Sequence, residues 1–324
     1  MSTEEQILQI LQKSPERRLT DLVEITGSSR QMVHRAVKRL LEKKLLEKIG
    51  SAPRTYYRLS SPATAEAFDI SEGDGAFLQE HFLLITETGT RLEGSQAFAH
   101  WCKRQKLPIQ KTISEFITTR KKYLAYYQPN GLINGLQKIQ STKGLQKIGL
   151  DEVYYLDFYA IERFGKTRLG TLLHLAKQGQ NRKLMDEIIE LSRERIYRLV
   201  KDQKTDAVGF IPPTIKREVQ FMKVLERKLN LSLPHIQLIK VSGEIVVPQK
   251  ALSKIEERVN NARASIMVRE KRAFNKVLLI DDAIGSGATM NETALKLKAL
   301  SVTPTVVGLA ITGSFKGFEV IQEV

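Results

Sequence analysis

The chain has 324 residues, with 51 Lys and Arg against 36 Asp and Glu, and a formal net charge of +15. This length exceeds the usual size of one hydrophobic core and predicts at least two domains. The charge favours nucleic acids and phosphates as partners. The single cysteine, Cys102, excludes an intramolecular disulfide, and no apolar run approaches the roughly 20 residues that span a bilayer. We therefore expect a soluble, cytoplasmic protein without a membrane partner.

The beginning of the chain follows the order helix, short helix, longer helix. Apolar spacing predicts a first helix near residues 3–11 and a second that opens at Leu19. Ser29 is the predicted cap of a third helix that runs to about residue 44. Helical periodicity turns six apolar residues of this third helix inward and leaves a basic outer face. The inward set is Met32, Val33, Ala36, Val37, Leu40 and Leu41.

Residues 45–49 and 55–59 are predicted strands of a hairpin with residues 50–54 at its tip. With the three helices before it, the segment 1–60 resembles a winged helix-turn-helix domain, in which the third helix enters the major groove and the hairpin contacts the backbone. The resemblance assigns DNA, rather than RNA, contacts to Ser29, Arg30, Gln31, His34, Arg35 and Lys38 on the helix and to Arg54 on the wing. Two alternatives stay open. The winged helix could serve only protein contacts, and the protein could form a homodimer.

The middle of the chain is less informative. Residues 61–75 lack an apolar period and are predicted to be a linker. Residues 76–150 are predicted to be a small α/β or helical connecting region, with an apolar strand over 77–85 and a helix over 96–105. Two copies of one pentapeptide, at 135–139 and 144–148, are too few for a repeat architecture and are interpreted as a basic connector or a coincidence.

Residues 151–324 alternate between strand and helix patterns, which predicts a parallel sheet with ligands at the carboxyl ends of its strands. The predicted strands cover 153–159, 207–211, 236–241 and the apolar run before Asp281. The predicted helices cover 169–177, 183–200 and 216–229, with a further helix from Asn291. The fold class is therefore α/β, with an N-terminal winged helix and a C-terminal Rossmann-like domain.

One segment of this domain carries readable chemistry: an apolar strand, two acids, a Gly/Ser/Thr loop and a helix. Asp281 and Asp282 can accept hydrogen bonds from the vicinal hydroxyls of a ribose and assist a Mg²⁺ ion through its waters. The loop after them brings backbone N–H groups and a helix N-terminus close to a phosphate. A sugar phosphate would bind the acid pair through its hydroxyls and the loop through its phosphate. A Walker A loop is excluded because Ala288, and not Lys, follows the last glycine.

This segment closely resembles the phosphoribosyl pyrophosphate signature of type I phosphoribosyltransferases. The resemblance implies that Asp281 and Asp282 are the catalytic ribose-diol ligands, with Mg²⁺ as the cofactor. It implies that the 5-phosphate is bound by Gly285, Ser286, Gly287, Ala288 and Thr289. A polar turn after a core strand is the alternative interpretation.

Residues 153–312 also resemble the ComF-like branch of that superfamily. The resemblance rests on Pro212-Pro213 with the basic residues after them, and on the segment 248–260. It implies that Lys216, Arg217 and Arg258 contact the pyrophosphate. The chain departs from the branch's usual Arg-Gly-Phe-Asn-Gln wording, because it reads Arg-Glu-Val-Gln-Phe at 217–221. Arg217 and Arg258 could equally be solvated helix-face charges.

Three functions follow from these patterns. One is a pentosyltransferase that binds phosphoribosyl pyrophosphate with Mg²⁺ and transfers the phosphoribosyl group to a base or other nucleophile, with catalysis by positioning and electrostatics. Another is a non-catalytic transcriptional regulator that senses the same ligand or a nucleotide. A third is a nucleotide-modifying effector of a phage-defence system, for which the winged helix would bind a structured nucleic acid.

Overall fold

The computed structural model describes residues 1–14, 16–43, 45–50, 54–60, 70–215, 217–241, 252 and 254–316. The chain divides into two compact units. Unit 1 comprises Met1–Ile70 and Ile85–Leu92, and unit 2 comprises Ser71–Leu84 and Glu93–Val324.

Three helices and a hairpin form the N-terminal part of unit 1. The elements are α1 (Thr3–Lys13), α2 (Leu19–Thr26), α3 (Arg30–Glu42), β1 (Leu46–Ile49) and β2 (Tyr56–Leu59). The two strands are antiparallel. The Ser29 hydroxyl accepts a hydrogen bond from the Met32 amide at 3.3 Å, so the predicted cap of the third helix is confirmed. The predicted order of elements is also confirmed.

The core of this domain is built from residues that the helical period selects. Val33, Ala36, Val37 and Leu40 are buried on α3 and pack with Ile7, Leu11, Leu22 and Leu46. Met32 was predicted to point inward, but its side chain is 54% exposed. It precedes Val33 by one residue, which corresponds to about 100° around the helix, and therefore lies off the buried stripe.

Unit 2 begins with a helical layer. Its elements are α4 (Glu72–His81), α5 (Gly94–Gln105), α6 (Ile109–Leu124), β5 (Ile133–Asn134) and α7 (Leu136–Gln140). Two short strands between α4 and α5, β3 (Leu83–Ile85) and β4 (Arg91–Glu93), lie partly in unit 1 and partly in unit 2. Helix α4 starts inside the range predicted as a linker. The strand predicted over 77–85 is wrong for residues 77–81, because the Ser71 hydroxyl caps α4 at the Asp74 amide and Leu78 is fully buried on that helix.

Aromatic side chains join this helical layer to the rest of unit 2. The ring of Phe116 lies 5.3 Å from that of Phe82 and 5.2 Å from that of Phe164, and Trp101 lies 5.7 Å from Phe164. Such contacts bury large apolar areas and fix ring geometry. Residues on both sides of position 150 therefore pack together within unit 2.

The remaining elements form an α/β layer structure. They are β6 (Glu152–Phe158), β7 (Ala160–Ile161), a 3₁₀ turn (Glu162–Phe164), β8 (Gly165–Lys166), α8 (Arg168–Gln178), α9 (Arg182–Gln203), β9 (Ala207–Phe210), α10 (Phe221–Leu229), β10 (Leu238–Lys240), α11 (Ile255–Ser265), β11 (Ile266–Val268), β12 (Lys276–Ile284), α12 (Ala288–Ala299) and β13 (Thr305–Gly313). The helix predicted over 216–229 starts only at Phe221.

A five-stranded sheet in the order β5-β6-β13-β12-β9 is the centre of this structure. Its last four strands are mutually parallel, and β5 is antiparallel to β6 at one edge. The central strands β12 and β13 are buried along most of their length, as expected for a parallel sheet covered on both faces. The predicted α/β class, with a winged helix followed by a parallel-sheet domain, is confirmed.

Candidate functional site

The two adjacent acids lie at the carboxyl end of β12, beyond the end of its neighbour β9. Asp281 and Asp282 are still part of the strand, which continues to Ile284. The Asp282 amide donates to the Asp281 carboxylate at 2.7 Å. Both side chains are partly buried. The parallel strands β13 and β6 have their carboxyl ends on the same side of the sheet as β12, and open α/β folds bind their ligands at these carboxyl ends.

A lysine that the sequence patterns did not single out neutralises one of these acids. The Lys177 ammonium group, in the last turn of α8, forms an ion pair with the Asp282 carboxylate. Helix α8 is held at the sheet edge by Thr167, whose hydroxyl donates to the Phe158 carbonyl at 2.7 Å and accepts from the Gly170 amide at 3.0 Å. The ion pair joins residues 105 positions apart along the chain, so local sequence carried no signal for it.

The electrostatics of Asp281 differ from those of an exposed aspartate. Burial and the neighbouring Asp282 carboxylate raise the pKa of Asp281 to about 7, while the ammonium groups of Lys177 and Lys240 oppose that rise. A carboxyl group with such a pKa exchanges a proton near neutral pH. It is therefore able to act as an acceptor or a donor toward a bound hydroxyl.

The loop after β12 leads directly into the N-terminus of α12. Gly287 occupies the N-cap of α12 with a left-handed φ of 80°, and the helix starts at Ala288, three residues earlier than predicted. The Ala288 amide donates to the Ser286 hydroxyl at a long 3.4 Å. The first amides of a helix lack intrahelical partners and carry the positive end of its dipole, so this loop favours a phosphate.

A buried asparagine in the first turn of α12 joins this helix to the backbone of the segment before β6. Asn291 is fully buried. Its carbonyl oxygen accepts from the Gly149 amide at 2.8 Å, and its amide nitrogen donates to the Lys147 carbonyl at 2.9 Å. The segment just before β6 therefore fixes the helix that follows the loop.

The acids and the loop line one cavity of about 840 Å³. All seven predicted residues from Asp281 to Thr289 are brought together there: Asp281, Asp282, Gly285, Ser286, Gly287, Ala288 and Thr289. Arg217 and Arg258 also line it, and the Arg258 guanidinium donates to the Leu252 carbonyl at 2.9 Å. Lys216 and most of the predicted segment 248–253 lie outside the described residues.

Aromatic side chains form another part of the cavity wall, which the sequence analysis did not identify. Tyr123, Tyr159, Phe221 and Phe315 line the cavity. The rings of Tyr123 and Phe315 are 4.3 Å apart. These residues come from four separate segments, and no single pattern in the sequence connects them. The cavity volume falls within the range of small-molecule binding pockets.

The recognition helix of the N-terminal domain exposes most of its predicted contacts. Arg30, Gln31, His34 and Arg35 surround a shallow depression of about 390 Å³. Arg54 on the hairpin is exposed. Lys38 is exposed, with Glu42 at 3.9 Å. Ser29 lies at the cap of α3, where its hydroxyl is engaged by the Met32 amide.

Two further structural findings concern metals and membranes. Within the described ranges, no group of three or more His, Cys, Asp or Glu side chains is placed to hold a metal ion. None of the described helices combines the length and apolar character needed to cross a membrane.

Comparison with known proteins identifies the N-terminal domain. Residues 2–47 match the family of winged helix-turn-helix DNA-binding domains. This part of the chain is a winged helix-turn-helix domain. No curated protein matches the chain.

Two solved structures similar to the chain are phosphoribosyltransferases. A hypoxanthine phosphoribosyltransferase from Staphylococcus aureus is 15% identical, with a TM-score of 0.25, over 41% of this chain and 66% of its own, just under two thirds. An adenine phosphoribosyl transferase from Trypanosoma brucei, in complex with AMP, pyrophosphate and ribose-5-phosphate, is 14% identical, with a TM-score of 0.26, over 53% of this chain and 88% of its own. The functional assignment of the cavity rests on its own residues.

Proposed function

We propose that the cavity of unit 2 binds a ribose 5-phosphate compound, with phosphoribosyl pyrophosphate as the best candidate, and that the protein transfers its phosphoribosyl group to a base or other nucleophile. The observation that carries this proposal is that the Asp281–Asp282 pair and the loop 285–289 line the same cavity. Carboxylates are strong acceptors for a pair of hydroxyls, and the loop offers amide donors for a phosphate. A ribose 5-phosphate carries both groups.

The basic residues of the cavity support a leaving pyrophosphate. Arg217 and Arg258 line the cavity together with the acids. In the transfer, the bond between C1 of the ribose and the pyrophosphate oxygen breaks, a bond from C1 to the nucleophile forms, and the nucleophile loses a proton. Guanidinium groups stabilise the charge that develops on the leaving oxygens. Such a reaction requires positioning and charge, and no covalent enzyme intermediate.

The acid pair fits a Mg²⁺ ion whose remaining ligands are water and substrate phosphates. This ion commonly keeps several waters and binds through one or two carboxylates plus substrate phosphates. Asp281 and Asp282 supply two adjacent carboxyl groups, and Lys177 already pairs with one of them. When bound, Mg²⁺ would supply positive charge to the pyrophosphate. The two aspartates would hold it through water or through the ribose hydroxyls.

We propose DNA binding by the winged helix as the second activity of the chain. The exposed basic depression on α3 supports it. The presence of this depression and of the cavity in one chain favours a second candidate function, in which the ligand regulates DNA binding without being consumed. Coupling of that kind is commonly worth about 1–3 kcal/mol, or about 5- to 150-fold in affinity.

The decisive experiment is a calorimetric titration of phosphoribosyl pyrophosphate with Mg²⁺ into the wild type and into an Asp281→Asn/Asp282→Asn double variant. The matched control is Glu190→Gln/Glu194→Gln, which removes two exposed carboxylates on α9 that do not line the cavity. Binding by the wild type and the control, with loss in the aspartate variant, supports the proposal. No binding by the wild type overturns it.

The same mixtures separate the two candidate functions. Pyrophosphate release in the presence of a panel of nucleobases establishes transfer. Binding without release favours the regulator, and the affinity of the full chain for duplex DNA is then measured with and without the ligand.

A further inference from the structure

The first of the two identical pentapeptides lies against the loop that is proposed to bind phosphate. Residues 135–139 cover the N-cap and the first four residues of α7, and the ammonium group of Lys138 donates a hydrogen bond to the Gly285 carbonyl. The neighbouring Ile139 is fully buried and occupies the space in which a Cβ atom on Gly287 would lie. Two successive side chains of α7 therefore contact the loop that precedes α12.

Lys138 is unusual because its charge is buried. Its side chain belongs to a residue that is only 4% exposed, and it does not line the described cavity. It therefore reaches the loop from the protein interior. An ammonium group has three donors, and within the described part of the chain the structure records one acceptor, the Gly285 carbonyl. A buried cation with so few acceptors is costly without a nearby anion.

The geometry of the peptide bond links this contact to the ligand side. In a trans peptide the C=O and the following N–H point in opposite directions. When Lys138 holds the Gly285 carbonyl toward the interior, the Ser286 N–H of the same peptide points in the opposite direction, away from the interior. Gly285 and Ser286 both line the cavity. The contact thus aims a backbone donor at the place where a phosphate would bind.

We propose that Lys138 is a positioning residue of the phosphate site: it orients the Gly285–Ser286 peptide and places a fixed positive charge behind the loop. The proposal rests on the proposed function, because it requires that the cavity binds a phosphate. Burial lowers the pKa of Lys138 to about 8, and a phosphate close to it would stabilise the charged form.

The second pentapeptide provides a matched control. Lys147 occupies the equivalent place in the segment 144–148, but its side chain is exposed, and only its backbone carbonyl contacts α12. Lys147→Met and Lys138→Met therefore make the same chemical change within nearly the same local sequence. Only Lys138→Met removes a charge and a donor from the loop.

The test is calorimetric binding of ribose 5-phosphate and of inorganic phosphate to the full chain at pH 7. We expect Lys138→Met to weaken both by about 10- to 100-fold, because a hydrogen bond to a charged group contributes on that order. Lys147→Met should stay within about twofold of the wild type. Lys138→Arg, which keeps a cation and a donor, should restore most of the affinity, which a merely space-filling role of Lys138 would not produce.

The outcomes separate the two proposals. If the wild type binds neither ligand, both the function and the role of Lys138 are overturned. If the wild type binds and Lys138→Met binds as tightly as Lys147→Met, or if Lys138→Arg gives no rescue, only the role of Lys138 is overturned. Thermal unfolding checks each variant, and Lys138→Gln, which keeps a donor without a charge, replaces Lys138→Met if that variant does not fold. Its expected affinity is intermediate, and wild-type affinity would contradict the role of the charge.

Discussion

The ammonium group of Lys177 at the end of α8 pairs with the carboxylate of Asp282 at the end of β12. Their side chains are 25% and 16% exposed, so neither charge is fully hydrated. The pair lies in the cavity, and Lys177 also limits the rise in the pKa of the adjacent Asp281 that burial and the Asp282 carboxylate cause. The folded protein thus places an ammonium group beside the acid pair, which would otherwise depend on a ribose or a metal ion to offset its charge.

Removal of this cation should destabilise the folded protein. Lys177→Met leaves two neighbouring, partly buried carboxyl groups without their nearest ammonium group, and we expect a loss of about 1–3 kcal/mol in the free energy of unfolding. Urea denaturation at pH 7 measures it. The control is Lys183→Met, an exposed lysine at the start of α9. Equal stability of the two variants would contradict the prediction. Adding Asp282→Asn to Lys177→Met should recover part of the lost free energy of unfolding.

The raised pKa of Asp281 predicts how stability depends on pH. The folded protein holds this proton up to about pH 7, whereas an unfolded aspartate loses it near pH 4. Between these values the folded state binds more protons, so this carboxyl group makes stability fall as the pH rises. Asp281→Asn should remove that slope and stabilise the protein by about 1–3 kcal/mol at pH 8. Urea denaturation at a series of pH values measures this dependence. If the free energy of unfolding of Asp281→Asn falls with pH as steeply as that of the wild type, the assignment is wrong.

The loop glycines should differ in their tolerance of a methyl group. Gly287 has a left-handed φ of 80°, and a Cβ atom there would collide with Ile139. Gly287→Ala should therefore cost about 1–3 kcal/mol and weaken ribose 5-phosphate binding. A Cβ atom at Gly285 meets nothing within 4 Å. Gly285→Ala should unfold at nearly the wild-type temperature, and a thermal scan that ranks the two variants the other way would contradict the described loop.

The charges on α3 should contribute unequally to DNA binding. Arg35 borders the exposed depression, whereas Arg39 lies 3.4 Å from Glu4 of α1. We expect Arg35→Ala to weaken duplex binding by about tenfold and to lower the salt dependence by about one counterion. Arg39→Ala, with the same charge change on the same helix, should have a smaller effect. Fluorescence anisotropy at several salt concentrations compares them, and indistinguishable losses would argue against a defined contact face.

Local patterns predicted the parts of the site that are continuous in the chain. The apolar strand, the acids, the loop and the helix after them occupy one stretch, and backbone chemistry alone constrains their arrangement. Helix α3 was predictable for the same reason, although Met32 was placed on the wrong side of it. The strand predicted over 77–85 was wrong for residues 77–81 because burial of Leu78 and the Ser71 cap favour a helix there.

Contacts between distant segments were not predictable. Lys138 and Gly285 are 147 positions apart, and Lys177 and Asp282 are 105 positions apart. Neither lysine differs in local sequence from an ordinary solvated one, and the pentapeptide that contains Lys138 has an identical copy whose lysine is exposed. Only the packing of α7 and α8 against the sheet edge gives these side chains their roles.

The hydrogen bonds of Asn291 determine where this polypeptide can be divided. Both backbone partners of this buried side chain, the Lys147 carbonyl and the Gly149 amide, precede the first central strand of the sheet. A fragment cut at residue 150 would keep the asparagine but lose both partners, together with Lys138 and the edge strand β5. The half of the chain that carries the proposed phosphate site therefore does not begin with its first long strand, and a fragment that contains this site needs the helical segment before that strand.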